Sequence, residues 1–243
     1  MIALLYLKVR DYPTGLHDRV PVADRTVRAL MATAARTIAA VPTLRWVCCG
    51  AAAQLLLVSS VWTWLPSYLN RYGGLAPDRA ASQAAFVVLL GALGSLFWGR
   101  LADLAGFTHA RRKLQALAVF ALLSAACAWG AFRGGGSLPP TGEVHFLMIM
   151  ATGFIMTCSV GTAAAVAIDV VPLALRATGA SVLSLFQNLF GLAAGPAISG
   201  YLSDRLGLAA ALQWTPLFAC IAALLFWYAA RGFERDQLRA KQI

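Results

Sequence analysis

Gly99-Arg-Leu-Ala-Asp103-Leu-Ala-Gly106 closes one apolar stretch of this chain, and Gly200-Tyr-Leu-Ser-Asp204-Arg-Leu-Gly207 closes another. A shift of 101 positions lays one on the other: Gly94 on Gly195, Gly99 on Gly200, Leu101 on Leu202, Asp103 on Asp204 and Gly106 on Gly207. Each copy ends the second of three apolar stretches in its half of the sequence. A unit of three membrane-crossing helices returns upside down, because three is odd. The repeat therefore predicts an all-α membrane protein of six transmembrane helices, arranged as two inverted three-helix repeats.

The six stretches are 46–69, 80–98, 114–132, 146–168, 177–202 and 209–230, and none contains Asp, Glu, Lys or Arg. Each has about 19 residues or more, enough to cross a hydrocarbon core of roughly 30 Å at 1.5 Å per residue. Without water to bond its peptide groups, such a segment must be helical. The composition agrees: 60% of the 243 residues are hydrophobic and 12% are charged, about half the charged share of an ordinary soluble domain.

The net charge of +10 suggests nucleic acid until the positions are read. Sixteen of the 20 Lys and Arg fall in the leading segment, in alternate loops and after the last stretch. That is the positive-inside pattern, which fixes orientation and names no nucleic-acid partner. It puts residues 1–45, the 99–113 loop with Arg100, Arg111, Arg112 and Lys113, the loop with Arg176, and the 231–243 tail on the cytoplasmic side. Both termini are thus expected in the cytoplasm.

Three parts follow. Residues 46–230 form the six-helix bundle, and 231–243 a basic cytoplasmic tail. Residues 1–45 combine a short apolar start, 1–7, with a linker. The start lacks the basic region and the length of a signal peptide; it looks like the end of a helix whose earlier part is absent, so the chain reads as a fragment or a truncated gene product. In the linker Val27, Leu30, Met31, Ala34, Ile38 and Val41 recur at helical spacing beside Arg25, Arg28 and Arg36. This suits either an amphipathic helix on an anionic leaflet or a plain linker helix.

Cys48, Cys49, Cys127, Cys158 and Cys220 lie in apolar runs without C-x-x-C spacing. They read as packed thiols, with no disulfide framework, metal site or cofactor implied. Glycines mark close helix approach: Gly91, Gly94 and Gly99 on the second helix, Gly191, Gly195 and Gly200 on the fifth, with Pro196 beside them.

Polar side chains inside apolar helices must face protein or a watery cavity. Ser59, Thr63 and Ser67 share a face of the first helix, with Gln54 deeper and Trp62 and Trp64 beside them. Thr152 and Ser159 share a face of the fourth helix, with Thr162 beyond, and Asn188 lies midway along the fifth. Ser and Thr often bond their own helix backbone instead; the amides of Gln54 and Asn188 are harder to satisfy that way. At the cytoplasmic end, Asp103 precedes Gly106 and Arg111-Arg112-Lys113, and Asp169 and Arg176 flank the equivalent turn. A carboxylate there can pair with an Arg or with a nearby helix N-terminus and hold one conformational state, or be an ordinary solvated acid.

Gly99-x-Leu-x-Asp103-x-x-Gly106 followed by a basic run resembles the cytoplasmic loop motif of the major facilitator superfamily. Arg176-Ala-Thr-Gly-Ala, Asn188-Leu-Phe-Gly191, Gly195-Pro196 and Gly200-Tyr-Leu-Ser-Asp204 resemble the penultimate helix of that family, and Lys8-Val-Arg-Asp11 with the 188–204 stretch looks closest to its spinster-like members. The chain departs from the pattern in having Leu104 and Phe107 where the family often has basic residues; its basic cluster is displaced to 111–113.

The resemblance implies the C-terminal six-helix half of a twelve-helix carrier, moving a small organic solute by alternating access and needing a missing N-terminal half or a homo-oligomeric partner. It implies that the first and fourth helices line the cavity, through Gln54, Ser59, Trp62, Thr63, Thr152 and Ser159; Asn188 of the fifth helix is a further cavity candidate. Gly99, Asp103, Gly106, Arg111, Arg112, Asp169 and Arg176 would form the gating loops, and Gly94, Gly191, Gly195, Pro196 and Gly200 the packing faces. The expected place is a bacterial inner membrane, in contact with lipid. A channel or scaffold subunit is the alternative, although no charged ring or carbonyl filter is legible. An enzyme is not expected: Gly179-Ala-Ser181-Val lacks a second Gly, and no His follows His145.

Overall fold

The computed structural model describes residues 39–107, 109–133 and 142–242. Among the described residues six helices are long and apolar enough to cross a membrane: α1 (Pro42–Arg71), α2 (Pro77–Ala105), α3 (Ala110–Phe132), α4 (Glu143–Asp169), α5 (Arg176–Leu206) and α6 (Leu208–Ala240). No strand occurs among the described residues. The expected helix remnant at 1–7 and most of the linker helix lie outside the described residues.

The helices overrun the apolar stretches, because their polar ends remain helical in water. Prolines open α1 and α2 at the position where a missing N–H costs nothing. α2 continues through Arg100 and Asp103 to Ala105, so the repeated motif sits on helix and only a short turn separates it from α3. At the other end of the sequence the helix Pro216–Gln242 runs on past residue 230. Residues 231–242, the expected basic tail, are thus helical. The reason is a continuous inward face: Phe226, Ala229, Ala230, Phe233 and Asp236 are all buried at spacings of three or four.

Three spans are interrupted. α4 breaks between Glu143–Met156 and Val160–Asp169. α5 carries a π-helical segment at Gln187–Ala193. α6 breaks at Thr215, before Pro216, which has no N–H to offer the preceding turn.

Two buried clusters show that the helices run alternately up and down. One gathers Leu44, Ala102, Leu114, Val170 and Phe233, from the starts of α1 and α3 and the ends of α2, α4 and α6. The other gathers Leu69, Ala80, Phe132, Ile149 and Leu208. The first cluster lies at the basic end, with Arg100, Arg111, Arg112, Lys113, Arg176, Arg231, Arg235 and Arg239; the second lies at the far end. α1 is the central helix, with 72% of its apolar window buried, against 28% for α2 and 22% for α5.

Candidate functional site

The inverted repeat is built into two equivalent contacts. α2 lies on α4 at its glycines: a Cβ on Gly94 would collide with the Phe154 carbonyl, and Gly91 meets the Gly153 carbonyl and Trp62. Thr157 Oγ1 donates to the Gly91 carbonyl at 2.7 Å. α5 lies on α1 in the same way. A Cβ on Gly195 would collide with Ser59 Oγ and stand 2.8 Å from the Leu56 carbonyl, and one on Gly191 would stand 2.8 Å from Leu55 Cβ. Ser59 Oγ donates to the Gly191 carbonyl at 3.0 Å. A hydroxyl bridging to a glycine carbonyl thus recurs in both halves, upside down. In lipid, where apolar burial drives little, close backbone approach and such bonds hold helices together. Gly200 extends the α5 contact, 3.0 Å from Trp64 by a built Cβ, whereas Gly99 has nothing within 4 Å. The Pro196 carbonyl accepts the Trp64 indole N–H at 3.3 Å.

The expected cavity residues divide between interior and surface. Gln54 is fully buried, and its Nε2 donates to Ser124 Oγ at 3.0 Å and to the Met156 carbonyl at 2.9 Å, one residue before the α4 break. Gln54 thus ties α1 to α3 and to the opened turn of α4. Its Oε1 has no partner, nor has Trp62 Nε1 or Thr162 Oγ1. Thr152 is buried and bonds its own helix at Met148. Ser159 is buried as Thr152 is, and it lies within the break. Ser59 is buried beneath α5, while Thr63, one turn on, is exposed. Asn188 is exposed as well, and its Nδ2 donates to the Ser184 carbonyl at 2.8 Å. The two amides therefore do not meet.

At the basic end, Asp103 pairs with Lys113: Lys113 Nζ stands 2.7 Å from Asp103 Oδ1. Gly106 makes room for this, because a Cβ there would come 2.9 Å from Lys113 Cβ. Spacing in sequence could not choose among three adjacent cations; the first turn of α3 does, by leaving Lys113 half-buried against the Gly106 turn and Arg111 and Arg112 exposed. Arg111 reaches the Gln115 amide oxygen at 3.3 Å in the amide orientation that satisfies both groups. Asp169 and Arg176 form no ion pair with each other. Between them stands a 3-10 turn at Leu173–Leu175, and Arg176 points out as the first residue of α5.

Two tertiary ties were not visible in the sequence. Asp236 is buried, and its Oδ2 accepts the Thr43 N–H at 3.0 Å, capping the start of α1 from the last helix. At the far end the buried His145 Nε2 stands 3.4 Å from the Tyr68 hydroxyl, with Phe132 packed edge-on to Tyr68. No group of three or more His, Cys, Asp or Glu among the described residues is placed to hold a metal.

The sequence model of the Major Facilitator Superfamily matches residues 21–242. The chain belongs to that superfamily. A solved structure of a bacterial homologue of the human lysosomal transporter spinster, inward-facing and unoccupied, is similar over 96% of this chain, with a TM-score of 0.72 and 20% identity. The chain spans 57% of the length of that structure. No curated protein sequence matches. In this member of the superfamily the equivalent glycine contacts are the repeat unit seen from both sides.

Proposed function

We propose that this bundle is one half of a secondary carrier that moves a small organic solute by alternating access, working against a second six-helix bundle. The observation that carries the reading is the surface of α5. Ser181, Ser184 and Asn188 recur at i, i+3 and i+7 and are all exposed on a membrane-spanning helix. An amide presented to lipid is costly, so this stripe faces water or a partner. The low burial of α2 and α5 within the bundle agrees. On this reading the partner bundle, in the same polypeptide or in a second copy, covers α2 and α5. Asn188 and Thr63 face the solute path, and Gln54 and Ser59 hold its wall.

The basic end faces the cytoplasm of a bacterial inner membrane, following the distribution of Lys and Arg. There the Asp103–Lys113 pair is a latch. Asp103 is 64% exposed, available to the opposite bundle when the cytoplasmic side closes. The test is uptake into proteoliposomes across a panel of labelled organic solutes, with conductance recorded in parallel. Saturable uptake that falls at least about tenfold in Asn188→Ala, as one interaction lost from the transport cycle would give, supports a carrier. Ohmic conductance without saturation identifies a channel, and neither activity a scaffold.

A further inference from the structure

α5 carries one residue more than α2 between equivalent glycines. Gly91 and Gly94 stand three apart in α2, whereas Gly191 and Gly195 stand four apart in α5. α2 is a regular α-helix throughout Pro77–Ala105, and α5 is wound as a π-helix at Gln187–Ala193. A π turn takes in one extra residue while the helix continues on either side. The wide turn thus absorbs the insertion and keeps both glycines of α5 against α1.

Pro196 bears on the same turn. In a π ladder each carbonyl seeks the N–H five residues on, and for Gly191 that residue is Pro196, which has none. The Gly191 carbonyl is met instead by the Ala194 N–H and by Ser59 Oγ at 3.0 Å. The equivalent bond in the other half, from Thr157 Oγ1 to the Gly91 carbonyl, serves a helix with no wide turn.

We propose that Ser59 is a positioning residue that holds α5 in its wide-turned register, and that α5 exchanges between this register and a regular α-helix while α2 does not. At 3.6 residues per turn, moving one residue through the ladder rotates one side of the turn by about 100° against the other. The segment bearing Ser181, Ser184 and Asn188 then turns relative to the segment bearing Gly195 and Gly200, which stays seated on α1. The exchange presents or withdraws the polar stripe of α5. Its use in transport rests on the carrier reading; its existence does not.

The test is hydrogen–deuterium exchange of the full chain in lipid nanodiscs, read by mass spectrometry, with no solute present. In Ser59→Ala the amides of 187–194 exchange about fivefold faster, the size expected of one lost hydrogen bond, and Ser59→Thr restores the wild-type rate. In Thr157→Ala the amides of 91–98 keep their rate. Deleting Leu192 gives α5 the three-residue glycine spacing of α2, and Ser59→Ala in that background adds nothing. Unchanged exchange at 187–194 in Ser59→Ala overturns the proposal. So does an equal response of α2 to Thr157→Ala, or a uniform rise across all six helices, since each would mark Ser59 as ordinary packing. A chain that shows the switch but transports nothing removes the carrier reading and leaves this one standing.

Discussion

The glycines separate sharply once their neighbours are known. Gly195 lies where a methyl group meets Ser59 and the Leu56 carbonyl, and backbone cannot yield as a flexible side chain does. Gly195→Ala is expected to destabilise the bundle by about 1–3 kcal/mol, the usual cost of overpacking. Gly99 has open space around it, and Gly99→Ala is expected to stabilise α2 by up to about 1 kcal/mol through helix propensity alone. Thermal unfolding in detergent of the two variants side by side checks both. The sequence marked these residues as one class, because the repeat aligns Gly99 with Gly200 and says nothing of what lies opposite. Asp103 is another such case. Its carboxylate is largely solvated in the pair with Lys113, so Asp103→Ala is expected to change stability by less than about 1 kcal/mol. Any larger loss belongs to transport, and the variant should insert normally yet carry solute more slowly. Full uptake by that variant would remove the latch.

Helices, as elements, were legible wherever apolar runs ended in charge. All six were expected from sequence, and all six stand. What the pattern could not show was where a helix continues beyond lipid, or where it opens. The extension of α6 to Gln242 depends on Phe233 and Asp236 finding a seat against α1, a tertiary fact. At the break in α4 the Met156 carbonyl is taken up by Gln54. That amide was noticed in the sequence as a residue needing partners, and its partners proved to be an opened turn and Ser124 within the protein. Gln54→Leu keeps the bulk but leaves the Met156 carbonyl unmet, and is expected to cost about 1–3 kcal/mol. Far-ultraviolet circular dichroism through the melt should show an earlier onset with unchanged helix content at low temperature.

At the level of the whole molecule, parity does most of the work: six crossings put both ends of the bundle on one side. Single cysteines at positions 73 and 109, in a background with the native thiols replaced, are expected to react with membrane-impermeant maleimide from opposite sides. Labelling of both from one compartment would contradict the up-and-down order of the helices. The surface that the proposed partner bundle would cover is the part least legible, since the cost of exposing Asn188 emerges only when burial is known; an amide in an apolar run reads the same whether it points in or out.

The cap on α1 has a consequence for biosynthesis. α1 enters the bilayer first among these helices, yet the carboxylate that satisfies its Thr43 amide lies 193 residues later. At about 5–20 residues per second of synthesis, that amide waits on the order of 10–40 s for its partner. The leading turn of the bundle is thus completed last, and a chain that ended before Asp236 would hold all six apolar stretches yet leave the Thr43 amide uncapped.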